Sequence, residues 1–430
     1  MGKRRKTQAG LPRKFLWGVA TSAFQMEGAP SCDWTEWKIR DARDQKARIR
    51  GVGHLEHTDQ DLELLPRLGV NAYRFSVEWS RIVPRRGEWD GKAMDRYVRI
   101  AARLREQGIE PVVTLHHFTN PSWLSDGNGW ADAQTVEEFL RFAHGAVLAL
   151  RSHVRIWITV NEPNVCALGG YLGGIMPPGL KNGKQCFDAY ANLLRAHVAV
   201  YDMIHAESDR HPSVGLAHNM VCFFPASETS ALDRWSAKVA HSLYNLSLLE
   251  TFRTGTLLLR LPFLHEEEYF LGARGKLDFL GLNYYFRLFM RLNPLNLKGP
   301  EHFWEDRSGR GLTEMGWEIY PKGFEEVIRA GAMSGIPVLV TENGAAETDD
   351  ARKISYLKDH LKILHRLVRE GLDIRGYFWW SLVDNYEWLE GLRPRFGLVR
   401  VDFDTLERTE TEAARYYSRW IRRHPDPRKS

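Results

Sequence analysis

A chain of 430 residues with 43% hydrophobic and 26% charged side chains has the make-up of a globular protein large enough to need no disulfide staples. No run approaches the roughly 18–20 apolar residues of a membrane-spanning helix, so no membrane partner is expected. The net charge of +5 is carried by a tail: Lys3, Arg4, Arg5, Lys6, Arg13 and Lys14 fall in the first fourteen residues with no acid among them, so the fold gives no reason to expect a nucleic-acid partner.

Residues 1–14 read as a disordered basic tail; the rival reading is an address or anion-binding segment. Lys6 stands where an N-myristoylation motif wants Ser or Thr, and no apolar stretch follows as a secretory signal would require. From residue 15 to 425 the chain reads as one domain. Strand-like runs occur at 15–24, 72–79, 111–118, 156–163, 213–224, 277–285, 337–344 and 374–385. They are continuous rather than alternating, which is how strands covered on both faces read. Helical patterns lie between them, at 93–108, 135–150, 351–371 and 409–425. Thr135 with Glu138 three residues on predicts a capping box. The glycine-rich GGYLGG at 169–174 lacks phosphate-loop spacing and reads as a loop. Eight strands alternating with helices predict an α/β fold, a single (β/α)8 barrel; an open doubly wound sheet would carry a Gly-rich phosphate turn after its first strand.

The four cysteines, Cys32, Cys166, Cys186 and Cys222, form no CxxC pair. They read as buried free thiols of a reducing, cytoplasmic setting. The Asn245-Leu246-Ser247 sequon lies inside a helical pattern and reads as chance.

In such barrels the C-terminal strand ends form the active-site floor. Here those ends carry Gln25, Glu78, His116–His117, Asn161–Glu162, Asn283–Tyr285, Glu342–Asn343 and Asp384–Asn385–Glu387. Two carboxylates opposed across a pocket can cleave a glycosidic bond, one giving a proton to the leaving oxygen and the other attacking the anomeric carbon. They need separated pKa values. A sugar also needs aromatic faces to stack on, and Trp379–Trp380 with Glu387–Trp388 cluster at one strand end.

The blocks FQMEG, AYRFSVEWSRI, TLHHF, TVNEPN, DFLGLNYY, MGWEIYP, VTENG and WWSLVDNYEW occur in this order over residues 15–409. With them the chain resembles glycoside hydrolase family 1, the retaining β-glycosidases. The resemblance implies a β-glucosidase type of activity, with β-galactosidase or β-fucosidase activity possible on the same residues, acting on a small β-glycoside without cofactor or metal. It implies Glu162 as general acid/base and Glu342 as nucleophile, with Arg74 and Tyr285 supporting the nucleophile. Asn161 would contact the sugar 2-OH, and Gln25, His117, Glu387 and Trp388 the other hydroxyls. Trp380 would be the stacking platform, Trp317 a leaving-group contact, and Asn283 a supporting residue.

Adjacent histidines on a strand point to opposite faces, so His116–His117 is not expected to bind metal; His117 is the pocket candidate and His116 structural. Glu78 is expected in a strand-end salt bridge. The acidic Glu387 is expected to repel the phosphate of a 6-phospho-sugar. FTNPSW after His117, the segment 32–57 and the stretch from 285 to 315 depart from the family pattern and leave the aglycone preference open. Two other readings stand beside hydrolysis: a transglycosylase using the same intermediate, and a glycan-binding barrel without turnover. Oligomeric state is not legible.

Overall fold

Eight strands lie parallel and close on themselves: β1 (Leu16–Ala20), β2 (Ala72–Ser76), β3 (Glu110–His116), β4 (Ile156–Asn161), β5 (Ser213–Asn219), β6 (Phe279–Tyr284), β7 (Val338–Asn343) and β8 (Ile374–Trp380). In this computed structural model the described residues are 11–428 apart from 13, 126–127, 209–210, 260–266, 271 and 294–299; most of the basic tail therefore lies outside them. Every strand residue is buried except Arg375 of β8. That double burial is why the strands read as continuous apolar runs. Leu16, Val112, Ile156, Ile158, Phe279, Leu339 and Phe378 fill the interior, so the barrel is a packed core and not a pore. Gly18 makes room for this packing. A Cβ there would stand 2.3 Å from the Phe378 ring.

The crossover helices are α1 (His54–Leu68), α2 (Gly91–Glu106), α3 (Gln134–Leu150), α4 (Gly183–Glu207), α5 (Ala231–His241), α6 (Pro321–Ala332), α7 (Asp350–Arg369) and α8 (Glu412–Arg423). Helix α7 shows why they form. Asp349 caps it by accepting from the Ala351 amide, a bond worth about 1 kcal/mol. Tyr356, Leu357, His360, Leu361, Leu364, Leu367 and Val368 recur at three- and four-residue steps and are all buried. Each large apolar side chain so covered stabilises by about 1.5–3 kcal/mol. Gly371, at φ 90°, follows the helix C-terminus. Helix α5 continues through a wide π-type turn, Ser242–Leu246, into a further helix, Ser247–Thr254.

The barrel closes where β1 pairs with β8 from Leu16↔Gly376 to Ala20↔Trp380. Trp17 Nε1 donates to the His424 carbonyl, and Gln25 Nε2 to Asn385 Oδ1, across the same seam. Cys222–Pro225, Arg287–Arg291 and Glu301–Phe303 form a small three-stranded sheet beyond the ends of β5 and β6.

All eight strands fall where the sequence places them, but several stop short of the apolar runs. The run at 213–224 ends as a barrel strand at Asn219, and from Cys222 it joins the small sheet; the run at 374–385 ends at Trp380, and Leu382 and Val383 beyond it pack into the core. Thr135 does not cap α3. Its hydroxyl donates to the Gly129 carbonyl; the N-cap is Ala133, which offers no side-chain cap, and Asp132 just before it accepts from the Gln134 amide. GGYLGG is not simply a loop: Leu168–Leu172 form a π-helical turn extending the short helix Pro163–Ala167. Asn245 is wholly buried and bonds the Val221 amide and carbonyl, so its sequon is inaccessible. All four cysteines are buried and free. Among the described residues no helix is long and apolar enough to cross a membrane.

Candidate active site

Strand β4 ends at Asn161, and Glu162 turns the chain in the left-handed region at φ 48°, ψ 60° before Pro163 opens the next short helix. For a residue other than glycine this conformation costs on the order of 1–3 kcal/mol and persists only where surrounding structure enforces it. Six non-glycine residues among those described have positive φ, Glu162 among them; two others, Phe118 and Trp388, meet edge-on at 5.2 Å. Glu162 Oε1 accepts from Asn219 Nδ2 at 2.9 Å and Asn283 Nδ2 at 2.8 Å. No cation bonds it among the described residues. Burial, reinforced by the charge of Glu342, pushes its pKa up to about 7.

Glu342 lies on β7, where the register with β6 and β8 is irregular; such bulges re-aim side chains next to active sites. Its surroundings are the reverse of those of Glu162. Arg74 Nη1 donates to Oε1 at 2.5 Å and the Tyr285 hydroxyl to Oε2 at 2.6 Å. Arg74 is fully buried and uses its remaining donors on Asn161 Oδ1, Thr114 Oγ1 and the Thr341 carbonyl. A fixed guanidinium and a phenol both favour the ionised carboxylate. The two carboxyl groups belong to one network, running from Glu342 through Arg74 and Asn161 to Asn283 and on to Glu162. Thr341 Oγ1 donates to Asn283 Oδ1 and fixes which end of that amide faces Glu162.

The remaining residues singled out in the sequence gather around a hollow at the strand ends. The His117 ring lies near-parallel to Trp380 and Trp388, 5.8 and 6.2 Å away. Its Nδ1 is buried without a partner among the described residues, a free position for a hydroxyl. Burial and the neighbouring Arg74 hold His117 well below its ordinary pKa, hence neutral. Trp388 stacks on Phe24 and leans on Trp34. Trp380 Nε1 donates to Glu387 Oε1 at 3.1 Å. Gln25 is held by Ser22 on one side and Asn385 on the other. Trp317 lies 5.4 Å from Tyr285 on the outer side and is only partly buried. His116 faces away, bonding Asn120 and meeting Trp130 edge-on.

Two expectations change. Glu78 forms no salt bridge among the described residues; it accepts from the Ser80 amide and hydroxyl and from the Thr119 hydroxyl. Burial pushes Glu387 up to about 8, with Glu342 and Asp384 adding to the effect. It is therefore largely protonated at neutral pH, and plain charge repulsion of a phosphate is weaker than the sequence suggests. Sequence reasoning also missed Asn219, Thr341, Thr114 and Tyr244, whose hydroxyl donates to Asn219 Oδ1 at 2.7 Å. Among the described residues no group of three or more His, Cys, Asp or Glu side chains could hold a metal ion.

The arrangement offers one carboxyl group that burial raises toward neutrality and, in the same network, one bonded by a guanidinium and a phenol, with aromatic rings and amide donors around them. Compared with known proteins, residues 7–425 match the family described as Glycosyl hydrolase family 1. Beta-glucosidase A of Thermotoga maritima is 34% identical over 96% of this chain and 98% of its own length. The beta-galactosidase of Pyrococcus woesei is 30% identical over 94% and 95%. The solved beta-glycosidase from Pyrococcus horikoshii superposes with a TM-score of 0.87 at 35% identity, covering 97% of this chain and 96% of that one.

Proposed function

The chain belongs to glycosyl hydrolase family 1, and from that premise we propose that it hydrolyses small β-glycosides by double displacement, Glu342 attacking and Glu162 serving as acid and then base. The observation that carries this reading is the opposite partnering of two carboxyl groups in one network. Glu162, near its pKa at neutrality, gives its proton to the glycosidic oxygen as the bond to the anomeric carbon breaks. Glu342, activated as an anion by Arg74 and Tyr285, forms the new bond on the opposite face. The ionised Glu162 then takes a proton from water, which displaces Glu342 and restores both groups.

Asn161 is the donor for the 2-OH, since Arg74 and Asn283 both bond its Oδ1 and leave Nδ2 toward His117 and the hollow. Gln25, His117, Glu387 and Trp388 hold the other hydroxyls, Trp380 supplies the platform and Trp317 meets the leaving group. A neutral hexoside is favoured over a 6-phospho-sugar because the neighbours of Glu387 are Trp380, Gln25, Glu342 and Asp384, none cationic. Glucosides are the leading substrates, with galactosides and fucosides gripped by the same groups. The unpaired thiols fit a cytoplasmic setting.

The test is the anomer first formed from an aryl β-glucoside, followed by NMR. The β-sugar is expected, and from Glu342→Ala with azide the α-glycosyl azide. An α-sugar as first product, or full rate without azide in that variant, refutes the mechanism. Added alcohol acceptors measure how far transfer competes with water.

A further inference from the structure

We propose that Tyr244 is a positioning residue for the acid/base group, acting through Asn219 to fix the hydrogen bond that Glu162 receives. The inference rests on the assignment of Glu162 as acid/base. An asparagine amide can present either its oxygen or its nitrogen to a neighbour. Tyr244 and Glu162 hold opposite ends of the Asn219 amide: the phenol hydroxyl donates to Oδ1 at 2.7 Å while Nδ2 donates to Glu162 Oε1 at 2.9 Å. The other oxygen-bound amide, Asn283, is fixed in the same way by Thr341. The two amides that touch the acid are thus each locked from behind by a hydroxyl.

Tyr244 reaches this place because α5 widens into the π-type turn Ser242–Leu246; such turns are frequent at functional sites. Asn245 ties that turn to Val221, in the link between β5 and the small sheet, and Asn164, two residues past Glu162, donates to the Asn219 and Tyr244 carbonyls. The ring of Phe223 meets Tyr244 edge-on at 5.5 Å. The phenol makes no hydrogen bond to Glu162 itself, so its influence on the carboxyl group passes through the amide.

The direction of the effect follows. A hydrogen bond given to the charged form favours it, so the Asn219 amide restrains the upward push of burial on Glu162. Without the phenol hydroxyl the Asn219 amide is free to rotate, and its oxygen would then favour the protonated acid. The groups that face Glu162 are Glu342 from β7, Arg74 from β2, Tyr285 after β6 and Tyr244 itself, with His117 one step away through Asn161. None of the others is altered by Tyr244→Phe.

The experiment is the pH dependence of kcat/KM on an aryl β-glucoside for the full chain and for Tyr244→Phe, Asn219→Ala, the double variant and Glu162→Gln. In Tyr244→Phe the basic limb is expected to move up by about 0.5–1 pH unit. Asn219→Ala moves it the same way, and the double variant moves no further than Asn219→Ala alone. An unmoved limb in Tyr244→Phe overturns the proposal, and so does a shift that adds fully to that of Asn219→Ala. Should either single variant fold poorly, the other with the Glu162→Gln control still decides whether the amide acts on the limb. A basic limb that survives in Glu162→Gln sinks the acid/base assignment itself, which separates that failure from failure of the relay.

Discussion

Two buried carboxylate centres in this protein are built on opposite rules. Outside the barrel wall Asp61 is fully buried and saturated: Arg408 reaches both oxygens, at 2.9 and 3.2 Å, and His54 Nδ1 sits 2.7 Å from Oδ2. Burial alone would raise its pKa, but the His54 and Arg408 bonds outweigh it and hold Asp61 below its ordinary value. In the hollow, Glu162 has two neutral amides on one oxygen and no cation, and burial prevails. The first centre joins α1 to the antiparallel pair Val399–Val401 and Arg408–Glu410, which precedes α8, and is made to stay as it is. The second is made to change its protonation state. A carboxylate held between cations keeps one charge state, as Asp61 does; one given only neutral amides, as Glu162 is, can exchange its proton.

The sharpest way to break this contrast is to remove charge from each centre in turn. Glu342→Ala is expected to lower kcat/KM on an aryl glucoside by on the order of 10⁴-fold or more. It also strands the buried Arg74 guanidinium, so a lower Tm is expected beside the lost rate; a rate left intact would break the contrast. Asp61→Asn should touch stability alone. Breaking a buried pair costs about 3–5 kcal/mol, read as a lower denaturation midpoint, while kcat of the folded fraction holds. Glu162→Gln should lose rate by about 10²–10⁴-fold on poor leaving groups and lose the basic limb near pH 7. A dinitrophenyl glucoside, which needs no proton, should be spared in its first step.

The smallest effect is on stability against pH. Glu162 and Glu387 bind protons more tightly folded than unfolded, from 4.5 up to about 7 and about 8. Their contribution is therefore greatest at low pH and declines as pH rises through that window. Asp61 works the other way. Its contribution is present above its unfolded value of 3.8 and fades as pH falls through its depressed folded value. Between pH 5 and 8 the Tm of Glu387→Gln should fall less than that of the unaltered protein, by roughly 1–3 °C. An identical slope would show that Glu387 is ionised throughout.

Much of this was legible in the sequence, for reasons tied to particular residues. Strands covered on both faces leave unbroken apolar runs, and the two acids stand at the ends of two of them. Their hydrogen-bonding partners were harder to see. Asn219 occupies the same place on β5 that Asn161 and Asn343 hold on β4 and β7. It was hidden because the apolar run continues to Phe224, which put the apparent strand end five residues late. Tyr244 was hidden because nothing in a helical pattern announces a π-type turn, and its contact to Asn219 spans 25 positions. Thr135 misled for a different reason. Cap sequences are permissive, and Asp132 competes for the same helix start.

The seam between β1 and β8 has a consequence for the life of the chain. The groups proposed to grip the far side of the sugar straddle it: Gln25 comes from near the beginning, while Trp380, Glu387 and Trp388 come from near the end. A nascent chain that has not yet delivered residues 374–388 owns the whole reacting pair and still has only half a grip. Closing the ring between the first and last strands and completing the grip on the sugar are therefore one and the same event.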